Sequence, residues 1–198
     1  MDNLDLFTLN TDRSTDPLIL PWLGSSSPIE PHTFSDLSVW RNFIENLSLT
    51  CQLPQFVAEK FARAQRLYFL GWIDQNMIKA GELVAFVTLE LALRDSYPLV
   101  YQQKDKKGNL KSAGLKDGLK YMVEVDGLTD DKMPSYQKYG WPCVANLYKD
   151  KRKDSRMTLV WVRNSLAHGD PFDSLPWSGL LEIVRDLIDY MYRTDRRV

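Results

Sequence analysis

The chain has few of the residues from which metal sites and disulfide frameworks are built. Its 198 residues include two cysteines and two histidines. Cys51 and Cys143 lie far apart in the sequence, and no close Cys/His spacing typical of a zinc site occurs. We therefore expect reduced thiols, no bound metal and no cofactor.

Long apolar runs are also missing, and no amino-terminal secretory leader is expected. Charged residues interrupt every apolar stretch within about ten residues, too short an interval for a membrane-spanning helix. The first residues, MDNLD, are acidic and lack the basic start of a secretory signal. These features predict a cytoplasmic protein that does not enter the membrane.

Two common catalytic motifs are absent as well. Residues 114–118, GLKDG, lack the Lys-Ser/Thr pair that completes a phosphate-binding P-loop. No Gly-x-Ser-x-Gly nucleophile elbow occurs in the sequence. The sequence therefore argues against a P-loop NTPase and against an α/β-hydrolase.

What the chain does contain is an ordinary globular composition with an uneven charge. It is 44% hydrophobic and 26% charged, with a net charge of −1. Residues 1–54 carry seven acids and two bases, and the remainder carries 23 bases and 19 acids. Two basic clusters, at residues 104–120 and 149–156, are suited to attract a polyanion, although solvated loops are the simpler interpretation of either one alone.

Residues 1–54 are predicted to form an acidic, proline-rich amino-terminal arm. Prolines and the GSSS stretch at 24–27 favour an extended segment, and apolar residues at 18–23 indicate that part of it docks on the body. A short helix is expected up to about Leu49, capped by Ser35 or Asp36. One hypothesis is that the arm limits access to the body.

Residues 55–198 are predicted to form a helical domain, which makes the fold all-α. Apolar residues at helical spacing predict long helices over about 54–80 and 82–97, separated at Gly81 and packed as an antiparallel hairpin. Three more helices are expected over about 115–125, 155–168 and 178–193. No set of alternating strands is evident, so the core is predicted to be an up-down bundle of four to five helices.

The only concentration of chemically active residues is RNSLAHG at 163–169. Gly169 suits the left-handed position that ends a helix, which places His168 in the last turn. There the negative end of the helix dipole favours a protonated imidazole, and Arg163 offers a planar fork of donors for a phosphate. On a straight helix Asn164 and His168 lie about 40° apart, but Arg163 and His168 about 140° apart. The alternative is structural, with Arg163 and Asn164 joining helices and His168 capping carbonyls.

The segment Arg163-Asn164-Ser165-Leu166-Ala167-His168 resembles the R-x4-6-H motif of the HEPN superfamily. The helical hairpin, the LELALR sequence at 89–94, the motif and a final amphipathic helix follow the order typical of that family. The resemblance covers about residues 57–192 and leaves the arm outside it.

The resemblance implies a metal-independent endoribonuclease that acts as a homodimer, with two motifs facing each other. Arg163 would bind the scissile phosphate, His168 would act as general acid or base at the ribose 2′-hydroxyl, and Asn164 would support the site. The products would be a 2′,3′-cyclic phosphate and a 5′-hydroxyl. Such enzymes include toxins and phage-defence effectors, which implies RNA as substrate and an antitoxin or regulatory protein as a further partner. The rival interpretation is a catalytically inactive helical module that binds a protein or nucleic acid.

Two further features leave alternatives open. Glu90 lies one helical turn before Arg94, so it either forms an i,i+4 pair with that residue or reaches Arg163 and fixes its orientation. The tryptophans, among them Trp161 and Trp177, are expected mostly in the core. Base stacking by one or two exposed rings is a second role, for which the sequence assigns no residue.

Overall fold

The computed structural model describes residues 11–24, 29–102, 108, 113–140, 144–148, 158–169 and 176–194. These residues are mostly helical, which confirms the all-α class in outline. The basic cluster at 149–156 and four of the six lysines of the one at 104–120 lie outside the described residues. The elements in chain order are β1 (Leu18–Trp22), β2 (Glu30–Phe34), α1 (Leu37–Glu45), α2 (Gln55–Leu70), α3 (Asn76–Ser96), α4 (Pro98–Tyr101), α5 (Leu115–Glu124), a 3-10 turn (Asp130–Lys132), α6 (Pro134–Tyr139), α7 (Ala145–Tyr148), α8 (Leu159–His168) and α9 (Leu180–Met191).

The arm contains a β-hairpin that the sequence reasoning missed. Strands β1 and β2 pair antiparallel, and Pro21 lies opposite Pro31 in their register. Proline is unusual within a sheet because it cannot donate to the ladder, so these residues concealed the strands. The signal that was present is the alternation of Leu18, Leu20 and Trp22, all fully or almost fully buried.

The arm belongs to the same hydrophobic core as the helices. Leu18, Leu20, Trp22 and Leu23 are within 1% of complete burial and lie in one cluster with side chains of α2, α3 and α9. Deleting the arm would therefore remove core side chains as well as surface. The hypothesis that the arm limits access needs substitutions on its surface instead of a truncation.

The helical hairpin of α2 and α3 breaks earlier than predicted. The helix stops at Leu70 and α3 begins at Asn76, so Gly81 lies inside α3 and not at the break. A Cβ at Gly81 would approach the Tyr68 ring to 2.6 Å. The glycine therefore allows the two helices to pack closely. Because glycine often breaks helices, the sequence pattern placed the break at Gly81, which was wrong.

Helix α3 is central to the fold, because α2, α5, α8 and α9 all pack against it. Helices α5, α8 and α9 agree with the predicted positions to within a few residues at the ends that the structure describes. None of the described helices combines the length and the hydropathy needed to cross a bilayer.

Polar side chains of α9 join the arm to the rest of the molecule. Glu182 is 4% exposed and accepts the indole N–H of Trp22 at 2.9 Å. Asp186 is 2% exposed and accepts the backbone N–H of Ser135 at 2.7 Å, and it also pairs with Arg185 at 2.6 Å. These buried carboxylates are satisfied by groups from two distant parts of the sequence and by the neighbouring Arg185, which is what allows their burial.

Candidate active site

Helix α8 carries the RNSLAHG segment and has a defined start and end. The Thr158 hydroxyl accepts the backbone N–H of Trp161 at 3.1 Å, which caps the amino terminus. Leu159 and Val162 are buried and attach the helix to the core. As predicted, His168 is the last helical residue, and Gly169 follows with a positive φ of 70°.

Arg163 is held against α3 by Glu90. The Arg163 Nε lies 2.6 Å from Oε1 of Glu90, and the two side chains are 34% and 21% exposed. Arg94, the other partner considered for Glu90, has its guanidinium 5.6 Å from the centre of the Tyr101 ring. Because the Arg163–Glu90 pair is partly shielded from water, it orients the guanidinium more firmly than a fully exposed pair would.

Asn164 lies beside this ion pair. Arg163 Nη1 donates to the Asn164 side-chain oxygen at 3.3 Å, a long hydrogen bond, and Asn164 is itself exposed. Among the residues that the structure describes, Nη2 of Arg163 has no acceptor within hydrogen-bond distance. The guanidinium is thus oriented at one nitrogen and retains donor capacity for an anion.

His168 lies on a different side of α8 from Arg163. The helix is regular through His168, so the separation of about 140° expected for a straight helix holds. Arg163 is on the side that meets α3, whereas His168 is exposed. One α8 helix therefore does not bring the arginine and the imidazole together, and a site shared between two subunits stays a prediction.

Trp161 is an exposed ring, although the tryptophans were expected mostly in the core and no exposed one was assigned. It is 44% exposed and packs edge-on against Trp177, with 5.7 Å between ring centroids. The backbone N–H of Trp177 donates to the Glu82 carboxylate, and the Lys79 ammonium lies 5.6 Å from the Trp177 ring. Trp161 thus rests against a neighbour that is itself fixed to α3.

The candidate residues lie apart from the groove that the described parts of the chain form. A groove of about 170 Å³ lies elsewhere, lined by residues of α4, α5 and their surroundings, including Val100, Lys120 and Tyr121. None of Glu90, Arg163, Asn164 or His168 lines it. Within the described parts of the chain, no three His, Cys, Asp or Glu side chains are grouped so as to hold a metal ion.

Comparisons with family models, with curated proteins and with solved structures found no match to this chain. The HEPN resemblance therefore rests on the motif and the order of the helices.

Proposed function

We propose that the chain is a metal-independent endoribonuclease of the HEPN type that acts as a homodimer in the cytoplasm. The observation that carries the proposal is the orientation of Arg163. Its guanidinium is held by Glu90 at 2.6 Å on the helix that ends at His168, and part of it stays exposed. A fixed and partly exposed arginine is suited to bind a phosphate in a defined position.

In the proposed reaction, the ribose 2′-oxygen attacks the phosphorus and the 5′-oxygen of the next nucleotide leaves. The 2′-hydroxyl proton passes to a base, and the leaving oxygen gains a proton. His168 performs one of these two transfers, Arg163 binds the non-bridging phosphate oxygens, and Asn164 supports the site. The products are a 2′,3′-cyclic phosphate and a 5′-hydroxyl, so neither metal nor cofactor is required.

A dimer is proposed because Arg163 and His168 point apart on α8. The surface next to the site supports this proposal, since Leu83 and Val87 are 42% and 45% exposed on α3. At helical spacing they share a face with Glu90. Exposed apolar side chains beside a functional site are typical of surfaces that bind another protein.

The rival function is a catalytically inactive module that binds a protein or nucleic acid. The observation that favours it is the Arg163–Glu90 pair itself, because Glu90 neutralises the charge that would attract a phosphate. A toxin or phage-defence role, with an antitoxin or regulatory protein as partner, belongs to the ribonuclease proposal and not to this one.

Cleavage of single-stranded and structured RNA in EDTA tests the proposal. We expect cleavage by the full chain to fall about 10²- to 10⁴-fold in His168→Ala and about 10²- to 10³-fold in Arg163→Ala. His32→Gln changes the other histidine, and Arg41→Ala removes the arginine of an exposed Arg–Glu pair at 2.8 Å, so both serve as matched controls.

Equal cleavage by Arg163→Ala, His168→Ala and the wild type would show that these residues do not form the active site. A chain that is strictly monomeric at the assay concentration would contradict the shared site. Absence of cleavage by the wild type under all conditions would favour the inactive binding module.

A further inference from the structure

The exposed side of α8 carries an aromatic ring in line with the imidazole. Trp161, Asn164 and His168 are all exposed. On a regular helix Trp161 and His168 lie about 20° apart around the axis and about 10 Å apart along it, with Asn164 between them. The ring and the proposed catalytic histidine therefore face the same space.

The Trp161 ring is exposed and also supported. Its edge-on contact with Trp177 restricts its orientation, because Trp177 is held through its backbone by Glu82. A tryptophan with few accessible rotamers loses little conformational entropy when another flat group stacks on it. Support of this kind makes the ring a suitable binding platform.

We propose that Trp161 stacks on a base of single-stranded RNA that lies along the same face of α8 as His168. The inference rests on the proposed function for its substrate and adds the residue that holds the nucleotide. Glu90 neutralises Arg163, so simple charge attraction supplies little of the affinity and stacking supplies the rest.

The neighbours of the ring favour a nucleotide over a protein partner. On the face of α8 that carries Trp161, the exposed Asn164 and His168 follow it, and Ser165 beside them is half-buried; all three are hydrogen-bonding residues. A base has an apolar face and polar edges, which match a ring flanked by such groups. The centre of a protein–protein interface is more apolar than a face that carries these three residues.

The test measures binding of a fluorescein-labelled 2′-O-methyl oligoadenylate 12-mer, which has no free 2′-hydroxyl and so cannot react by the proposed chemistry. In Trp161→Ala we expect the dissociation constant, measured by fluorescence anisotropy, to rise about 5- to 150-fold. Trp161→Phe keeps a ring and should stay within a few fold of the wild type. Phe56→Ala is the matched control, since Phe56 is 46% exposed on α2.

A 12-mer of abasic 2′-O-methyl residues separates stacking from phosphate contacts. The wild type should bind it more weakly than oligoadenylate, whereas Trp161→Ala should bind the two equally. Unchanged affinity in Trp161→Ala, or no binding of oligoadenylate by the wild type, would overturn the proposal. It would also be overturned if Trp161→Ala converted a dimer to a monomer in sedimentation, because the ring would then be a subunit contact.

The oligonucleotide-binding measurement is independent of the cleavage assay. RNA cleavage with unchanged oligonucleotide affinity in Trp161→Ala would leave the ribonuclease proposal intact and remove the stacking role. Affinity that depends on Trp161, without cleavage, would support stacking and remove the ribonuclease.

Discussion

The polar side chains of α9 and those at the α3–α8 contact are of the same chemical types but are used differently. On α9 the carboxylates of Glu182 and Asp186 are almost completely buried, and each has several donors within the protein. At the α3–α8 contact the Arg163–Glu90 pair is partly exposed, and Asn164 and His168 face solvent.

The difference shows that burial and the source of the partners distinguish a structural cluster from a candidate site. The α9 groups are satisfied by Trp22, Ser135 and other residues of the same chain, so they have little capacity left for a ligand. Arg163 is oriented by one carboxylate and retains donors. Substitutions in each region test this difference.

The largest effect is expected from Asp186→Ala on α9. This change leaves Arg185, which is 13% exposed, and the Ser135 N–H without their carboxylate. Removing one partner of a buried pair costs about 3 to 5 kcal/mol, so the free energy of unfolding in urea should fall by that amount.

Glu45→Ala is the control for this experiment, because it removes the acid of the exposed Arg41–Glu45 pair. Its effect on the free energy of unfolding should stay below about 1 kcal/mol. Equal effects of Asp186→Ala and Glu45→Ala would mean that the α9 network does not hold the fold together.

A smaller effect on stability, and a larger one on activity, is expected from Glu90→Gln. The change keeps the shape of the side chain but removes the charge that orients Arg163 at 2.6 Å. We expect kcat for RNA cleavage to fall about 10- to 100-fold through misplacement of the guanidinium. KM should fall as well, because the freed positive charge binds phosphate more tightly.

Glu59→Gln is the matched control, since Glu59 is exposed on α2 and accepts a hydrogen bond from Gln55. The free energy of unfolding should change by less than about 1 kcal/mol in both variants. If Glu90→Gln left kcat and KM unchanged while stability fell, the pair would be structural and the contrast with α9 would disappear.

The smallest effect is expected at Cys51, which lies against Asp189 of α9. Burial, followed by the hydrogen bond from the thiol to Asp189 at 3.1 Å, raises the pKa of Cys51 from 9.0 to about 12. The stabilisation linked to this shift is complete below pH 9 and is lost as the pH rises towards 12. At pH 8 the thiol is therefore protonated and should react slowly with a disulfide reagent.

The Cys143→Ser variant makes Cys51 the sole thiol for this measurement. Its rate of modification should rise when urea unfolds the chain, and it should also rise in the folded Asp189→Asn variant. If the folded and unfolded chains reacted at the same rate, burial and Asp189 would not be suppressing the reactivity of Cys51.

Much of the helical architecture was predictable from periodicity and end signals. Apolar spacing located α5, α8 and α9, and Gly169 marked the end of α8 correctly. The hairpin was missed because prolines in both strands outweighed the alternation of Leu18, Leu20 and Trp22. The position of the break between α2 and α3 was wrong because Gly81 is required by contact with Tyr68, which depends on the neighbouring helix.

The candidate site was predictable only in part. Arg163, Asn164 and His168 lie in one short segment, so their order on one helix follows from the sequence. Glu90 is 73 residues from Arg163 in the chain. Whether Glu90 pairs with Arg163 or with Arg94 depends on how α8 packs on α3. The exposure of Trp161 depends on packing in the same way, because composition alone favours burial of tryptophan.

Local sequence patterns were enough to predict the helical class, the end of α8 at Gly169 and the relative directions of Arg163 and His168. Each of these follows from local geometry, which a few neighbouring residues fix through backbone torsions and a regular period. Docking of the arm was expected from its apolar residues, but its hairpin, the pairing of Glu90 with Arg163 and the exposure of Trp161 became evident only in the folded chain. These depend on which distant surfaces exclude water from each other, and the hydrophobic effect that drives such burial is not directional.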